Sequence, residues 1–247
     1  MIKAVLFDLD NTLILFDETA FYQQYLANIT RAFQGLMPMH IFQKRLMSAS
    51  QALLQNSGKM LNSEFYMSVF AEGFAQKSEA MWQKFIDFYQ QDFNRLQSLM
   101  IPVPGVHELF NYLRQTELKI VVASNPLFPL TAQLKRLSWA GLADYPFDLI
   151  THLENTTFCK PQTGYYREIC RQIRVDPHDC LMAGNDDVND MIAGKTGMKT
   201  YLTTDSRLIG EASLAVSKNL RDSEVEETVK IEYRGSLSGV KKVLENL

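Results

Sequence analysis

The chain has 247 residues, 46% of them hydrophobic and 21% charged, with a formal net charge of -3. That is long enough to bury a good core in one large domain or two modest ones, and the balance is that of an ordinary globular protein. It excludes a basic nucleic-acid surface, and no run of about 20 apolar residues is present to cross a bilayer. Cys159, Cys170 and Cys180 are odd in number and lack Cys-x-x-Cys spacing, so they read as reduced thiols. No basic and apolar leader opens the chain, and the expectation is a cytoplasmic monomer or homodimer without nucleic-acid or membrane partners.

Residues 3–7, KAVLF, read as a buried strand that runs directly into Asp8, Asp10 and Asn11. From 14 to 100 the pattern is helical. Phe21, Tyr25, Ile29 and Phe33 fall at four-residue intervals, and Trp82, Phe85, Phe88, Tyr89 and Phe93 form a second stripe on a helix expected over 78–100 with Ser78 as N-cap. Residues 40–55 and 62–76 supply two more helices, so 14–100 is predicted as a four-helix insert whose aromatic stripes form its own core. Phe16 and Asp17, at its start, are expected near an entrance.

After Pro102, Pro104 and Gly105 the texture alternates. Helices are predicted over 106–116, 130–142, 163–174 and 187–197, and strands over 118–124, 147–151, 179–184 and 199–203. The tail 231–247 reads as one more strand and a terminal helix. Apolar strands alternating with amphipathic helices predict an α/β fold with a Rossmann-like parallel sheet, covered on both faces. The chain is therefore divided into a core domain, 1–13 and 101–247, and an inserted all-helical domain, 14–100.

The strand ends carry the polar residues. In such sheets ligands sit beyond the carboxyl ends of the strands. There lie Asp8 and Asp10, then Ser124 and Asn125, then Lys160 and Pro161, then the segment GNDDVND with Asp186 and Asp190. Each has a plain reading alone: turn residues, an N-cap, a solvated lysine, acids at a helix start. Their common placement favours one site. Two adjacent carboxylates repel and resist desolvation, and a cation relieves both costs. Asp8, Asp10 and Asp186 offer the incomplete oxygen shell that suits Mg²⁺, with Asp190 one turn behind them. Lys160 neutralises charge on a carboxylate and on a phosphate, and Asn11, Ser124 and Asn125 are placed as substrate-binding groups. A carboxylate nucleophile, a second carboxylate, a metal, a lysine and a hydroxyl suit phosphoryl transfer through an aspartyl-phosphate.

DLDNTL, ASN, KP and GNDDVND, in this order, resemble the four motifs of the haloacid dehalogenase-like hydrolase superfamily. The insert is similar in placement to the helical cap of the phosphoglycolate phosphatase and β-phosphoglucomutase branch. The resemblance implies that Asp8 is the nucleophile and Asp10 the general acid/base, with its main-chain carbonyl on the metal. It implies that Ser124 and Lys160 hold the phosphoryl group and that Asp186 ligates Mg²⁺. Asn185 stands where many members have the acid directly after glycine. The leading reading is an Mg²⁺-dependent phosphatase acting on a small phosphorylated metabolite. A phosphomutase or dehalogenase of the same superfamily, and a non-catalytic phosphoryl-binding signalling module, are the alternatives. Dehalogenases of this superfamily lack the second aspartate, so Asp10 argues against that reading.

Overall fold

Strand β1 (Ala4–Phe7) is fully buried along its length, which places it inside the sheet. This computed structural model describes residues 1–74, 77–206 and 229–247. Six parallel strands lie in the order β5-β4-β1-β6-β7-β8. The others are β4 (Lys119–Val122), β5 (Leu149–Ile150), β6 (Cys180–Gly184), β7 (Lys199–Thr203) and β8 (Tyr233–Gly235). Alternation along β1 sends Val5 and Phe7 to one face and Ala4 and Leu6 to the other. The first face packs on Phe110 of α5 (Val106–Leu113) and Leu137 of α6 (Leu130–Trp139). The second packs on Tyr165, Tyr166 and Ile169 of α7 (Thr163–Ile173). With both faces covered, the α/β fold predicted from the alternating pattern is the one observed.

Strand register aligns the polar ends. Phe7 pairs with Val122 on one side and with Ala183 on the other. The next main-chain bonds, Ala123 N to Phe7 O (2.7 Å) and Asp8 N to Ala183 O (2.9 Å), keep the three strand ends level. Asp8, Ser124 and the Gly184 loop therefore leave the sheet together.

The helical excursion is tied at its base by a feature too short for sequence patterning. Strands β2 (Ile14–Leu15) and β3 (Ile101–Pro102) form an antiparallel ribbon. Between them come α1 (Glu18–Ala32), α2 (Met39–Leu53), α3 (Asn62–Phe70), α4 (Ser78–Gln90) and a 3₁₀ segment, Asp92–Leu99. The Phe21, Tyr25, Ile29 and Phe33 stripe is buried, and Phe33 lies 4.5 Å from Phe42 and 4.6 Å from Phe85 between ring centres. No helix among the described residues is long and apolar enough to cross a membrane.

Several boundaries differ from the periodicity. The helix expected over 78–100 changes to 3₁₀ after Gln90, so the last stripe residue, Phe93, packs from a separate segment. Ser78 is the first helical residue and Lys77 occupies the cap position. Trp82 is half-buried while Met81 takes the core place beside it. The helix expected over 62–76 ends at Phe70, and residues 75–76 lie outside the described residues. The helix expected over 187–197 is a set of turns leading into a 3₁₀ segment, Met191–Thr196.

Candidate active site

The first turn is built to leave β1 abruptly. The Leu9 carbonyl accepts from the amides of Thr12 (3.3 Å), Leu13 (2.9 Å) and Ile14 (3.2 Å). Asn11 adopts φ of 58°, a left-handed conformation that asparagine tolerates better than most residues. Its Oδ1 accepts from Phe16 N at 3.0 Å and its Nδ2 donates to Glu18 at 3.3 Å. The side chain placed by sequence among the substrate-binding groups is thus engaged in holding the turn. Phe16 and Asp17 are also structural: Phe16 is buried, and Asp17 caps α1 by accepting from Ala20 N at 2.8 Å.

Lys160 is 1% exposed, a burial that an ammonium tolerates only when paired. Its Nζ donates to Asp8 Oδ1 at 2.8 Å and to Asp190 Oδ1 at 2.5 Å. Burial alone lowers the lysine pKa, but Asp190 and Asp8 outweigh it and hold the ammonium well above its ordinary value. The carboxylates feel the reverse. Burial, reinforced by Asp190 and Asp10, pushes Asp8 up to about 7 despite Lys160, and burial also raises Asp190. Asp190 Oδ2 in turn accepts from Asp186 N at 2.9 Å. Gly184 makes room for this carboxylate, because a Cβ there would stand 2.2 Å from Asp190 Oδ2.

Ser124 and Asn125 follow β4. The Ser124 carbonyl is held by the hydroxyls of Thr151 and Tyr165, both at 2.8 Å, which fixes the loop behind it. Asn125 Oδ1 accepts from Lys160 N at 3.2 Å and joins the two loops. Thr12, which sequence reasoning passed over, donates to Asn185 Oδ1 at 3.1 Å and links the first and last motifs.

Asp10 faces a different partner. Arg136 of α6 is fully buried, and its Nη1 donates to both carboxylate oxygens of Asp10, at 2.7 and 2.5 Å. Sequence reasoning missed this arginine. The available signal was a charged residue on the buried stripe of α6, beside Ala132, Gln133 and Leu137.

The structure brings Asp8, Lys160 and Asp190 into contact, but it does not gather the expected metal set through side chains. Asp186 is turned onto its own loop, with Oδ1 accepting from Val188 N and Asn189 N, each at 2.8 Å. Among the described residues no three acidic, histidine or cysteine side chains converge as a cation site. The donor chemistry still fits a hard divalent cation. The Asp10 main-chain oxygen accepts no backbone hydrogen bond in the turn, and Asp8 is a carboxylate whose ionisation is hindered. Asp8, Asp10 and Asp190 outnumber the Lys160 and Arg136 cations they contact, so this cluster carries net negative formal charge.

Comparison with known proteins identifies the family. Residues 2–197 match the model of the haloacid dehalogenase-like hydrolase family. The chain belongs to that family and is a hydrolase. It is 30% identical over 209 residues to YhcW of Bacillus subtilis, whose name proposes a phosphatase, covering 82% of this chain and 83% of that one. It is 26% identical over 199 residues to the phosphoglycolate phosphatase of Chromobacterium violaceum, covering 78% and 81%. Its fold is similar to that of a phosphatase from Thermococcus onnurineus, with a TM-score of 0.58, 19% identity and 98% of each chain covered. It is also similar to the L-2-haloacid dehalogenase of Xanthobacter autotrophicus, with a TM-score of 0.59, 17% identity and the whole of both chains covered.

Proposed function

We propose that the protein is an Mg²⁺-dependent phosphatase that hydrolyses a small phosphorylated metabolite through an aspartyl-phosphate on Asp8. The observation that carries this reading is the buried Lys160, which holds Asp8 in place from one side and leaves its other oxygen free of that bond. Asp8, the Asp10 carbonyl and Asp186 would hold Mg²⁺, which when bound would supply positive charge to the phosphoryl group.

The chain's own groups do the rest. Lys160 and the Ser124 hydroxyl hold phosphoryl oxygens. An Asp8 oxygen attacks phosphorus as the bond to the leaving oxygen breaks, and Asp10 gives that oxygen a proton. Asp10 then takes a proton from water, which attacks phosphorus and releases Asp8. The helices of 14–100 are read as a cap that excludes bulk water and contacts the leaving group.

The test is hydrolysis of p-nitrophenyl phosphate with Mg²⁺ and after chelation, together with mass detection of a phosphorylated peptide containing Asp8 in rapidly quenched samples. Loss of activity in EDTA and an adduct on Asp8 are the expected results. Activity that survives thorough chelation, or an adduct elsewhere, overturns the proposal.

A further inference from the structure

Arg136 lies 126 residues from Asp10 in sequence, outside the four motifs, and its guanidinium is constrained on three sides. Nη1 spans both oxygens of Asp10. Nη2 donates to Gln133 Oε1 at 2.7 Å, one turn earlier on α6, and Gln133 Nε2 is itself anchored to Thr151 O at 3.0 Å. The guanidinium carbon also lies over the Phe128 ring, 4.5 Å from its centre. Phe128 in turn meets Tyr25, Tyr89 and Phe93 of the helical insert at centre distances of 5.7 to 6.2 Å.

A fully buried arginine is costly to desolvate, and a surface carboxylate needs no such partner to stay in place. Asp10 keeps 28% of its side chain exposed, whereas the arginine keeps none. The built part of this pair is the arginine, and Asp10 is what it is aimed at.

We propose that Arg136 is the positioning residue for Asp10. Aimed by Gln133 and seated on Phe128, it holds the carboxylate in the one orientation from which a proton is passed to the leaving oxygen and taken from water. The contact through Phe128 makes that orientation depend on the insert being packed against the core. This rests on the reading of Asp10 as the proton carrier. One nitrogen, Nη1, meets both carboxylate oxygens, and because the planar guanidinium is itself held by Gln133 and Phe128 that nitrogen is fixed in place, whereas a lysine ammonium on its flexible stem is not.

The experiment compares Asp10→Asn, Arg136→Lys and Gln133→Met with the parent protein on p-nitrophenyl phosphate and phenyl phosphate. Thermal melts confirm that each variant is folded. p-Nitrophenolate leaves with little help from an acid, and phenolate does not. Loss of positioning is expected to lower kcat for phenyl phosphate by about 100-fold in Arg136→Lys and to lower p-nitrophenyl phosphate turnover much less, within the range of general acid-base contributions. Gln133→Met is expected to move the ratio of the two substrates in the same direction by a smaller factor, with KM little changed. Equal loss on both substrates, or a gain in activity in Arg136→Lys or Gln133→Met, overturns the proposal. If Asp10→Asn itself leaves the ratio of substrates unchanged, the assignment of Asp10 fails. If Asp10→Asn shifts the ratio and the other two variants do not, only the role of Arg136 fails. Gln133→Met retains the Arg136 side chain and removes only the acceptor that aims it, so it decides the matter should Arg136→Lys not fold.

Discussion

The floor of the site and its wall are built on opposite terms, although Asp8 and Asp10, which belong one to each, are two residues apart. The floor is made by the ends of β1 and β6 and the Lys160 loop, and its Lys160 and Asp190 are each 1% exposed. The wall is made by α6 with the aromatic residues of the insert, and it presents Arg136 to a carboxylate open to solvent. One buried ammonium serves two carboxylates on the floor, and burial, helped by the neighbouring Asp190, pushes the Asp8 carboxyl up despite Lys160. On the wall one guanidinium serves one carboxylate, and the charges match. Asp8 thus shares its counter-charge with Asp190, whereas Asp10 has Arg136 to itself.

The strongest effect separates function from stability on the floor. Asp8→Asn is expected to lower turnover by about 10⁴-fold or more, because an amide forms no phosphoryl ester under these conditions. The same change removes a hindered charge and keeps an acceptor for Lys160, so the folded state gains about 1 kcal/mol at neutral pH. Steady-state kinetics and chemical denaturation check both parts, and a destabilised Asp8→Asn would break the contrast between floor and wall.

Lys160→Met tests the same charge excess from the other side. It leaves Asp8 and Asp190 buried without their shared cation, and a loss of about 3 to 5 kcal/mol is expected in metal-free protein. Urea unfolding with and without Mg²⁺ measures it.

Asp186 and Asp190 define the boundary between the two regions more closely. Asp186→Ala is expected to lower Mg²⁺ affinity by about 100-fold and, by removing the acceptor of Val188 N and Asn189 N, to cost about 1 kcal/mol of stability. Asp190→Ala removes the second partner of Lys160, so stability falls more and metal affinity less. Titration calorimetry alongside thermal melts separates the two, and equal metal affinities would mean that Asp186 is not the ligand.

The weakest effect is a pH dependence. Asp8 is raised from its ordinary 3.8 to about 7, and Asp190 is raised in the same direction. Between those pH values the folded protein binds protons that the unfolded chain has lost. Stability from Asp8 is therefore full below about pH 4 and is lost as pH rises through 7. In EDTA the melting temperature is expected to fall over that interval, and added Mg²⁺ should raise it most at the alkaline end, where no proton competes. A melting temperature that climbs steadily from pH 4 to 7 in EDTA would refute the hindered ionisation of Asp8.

The legible part of this protein is local. Apolar runs ending in polar residues at 8, 124 and 185 identified the central strands, because a strand buried on both faces has few other compositions open to it. The stripe from Phe21 to Phe33 identified α1 because side chains at four-residue spacing must share a face. Element ends were less legible. The break after Gln90 and the turns of 186–190 come from packing and from side chains bonding their own backbone, as Asp186 does to Val188 and Asn189, and neither leaves a periodic trace. Asn11 carried a motif position but spends its amide on Phe16 and Glu18.

Strand periodicity and motif order are properties of short segments, so the parallel sheet, the interrupted chain and the set of polar residues at one edge were already written in the sequence. Which charges meet was settled by tertiary packing. Register between β1, β4 and β6 set the level of the strand ends, the approach of the 159–161 loop gave Lys160 two carboxylates rather than one, and the docking of α6 against the insert brought Arg136 to Asp10. Those contacts join residues 30 to 152 positions apart, and their geometry depends on how whole elements pack, which no local pattern of residues records.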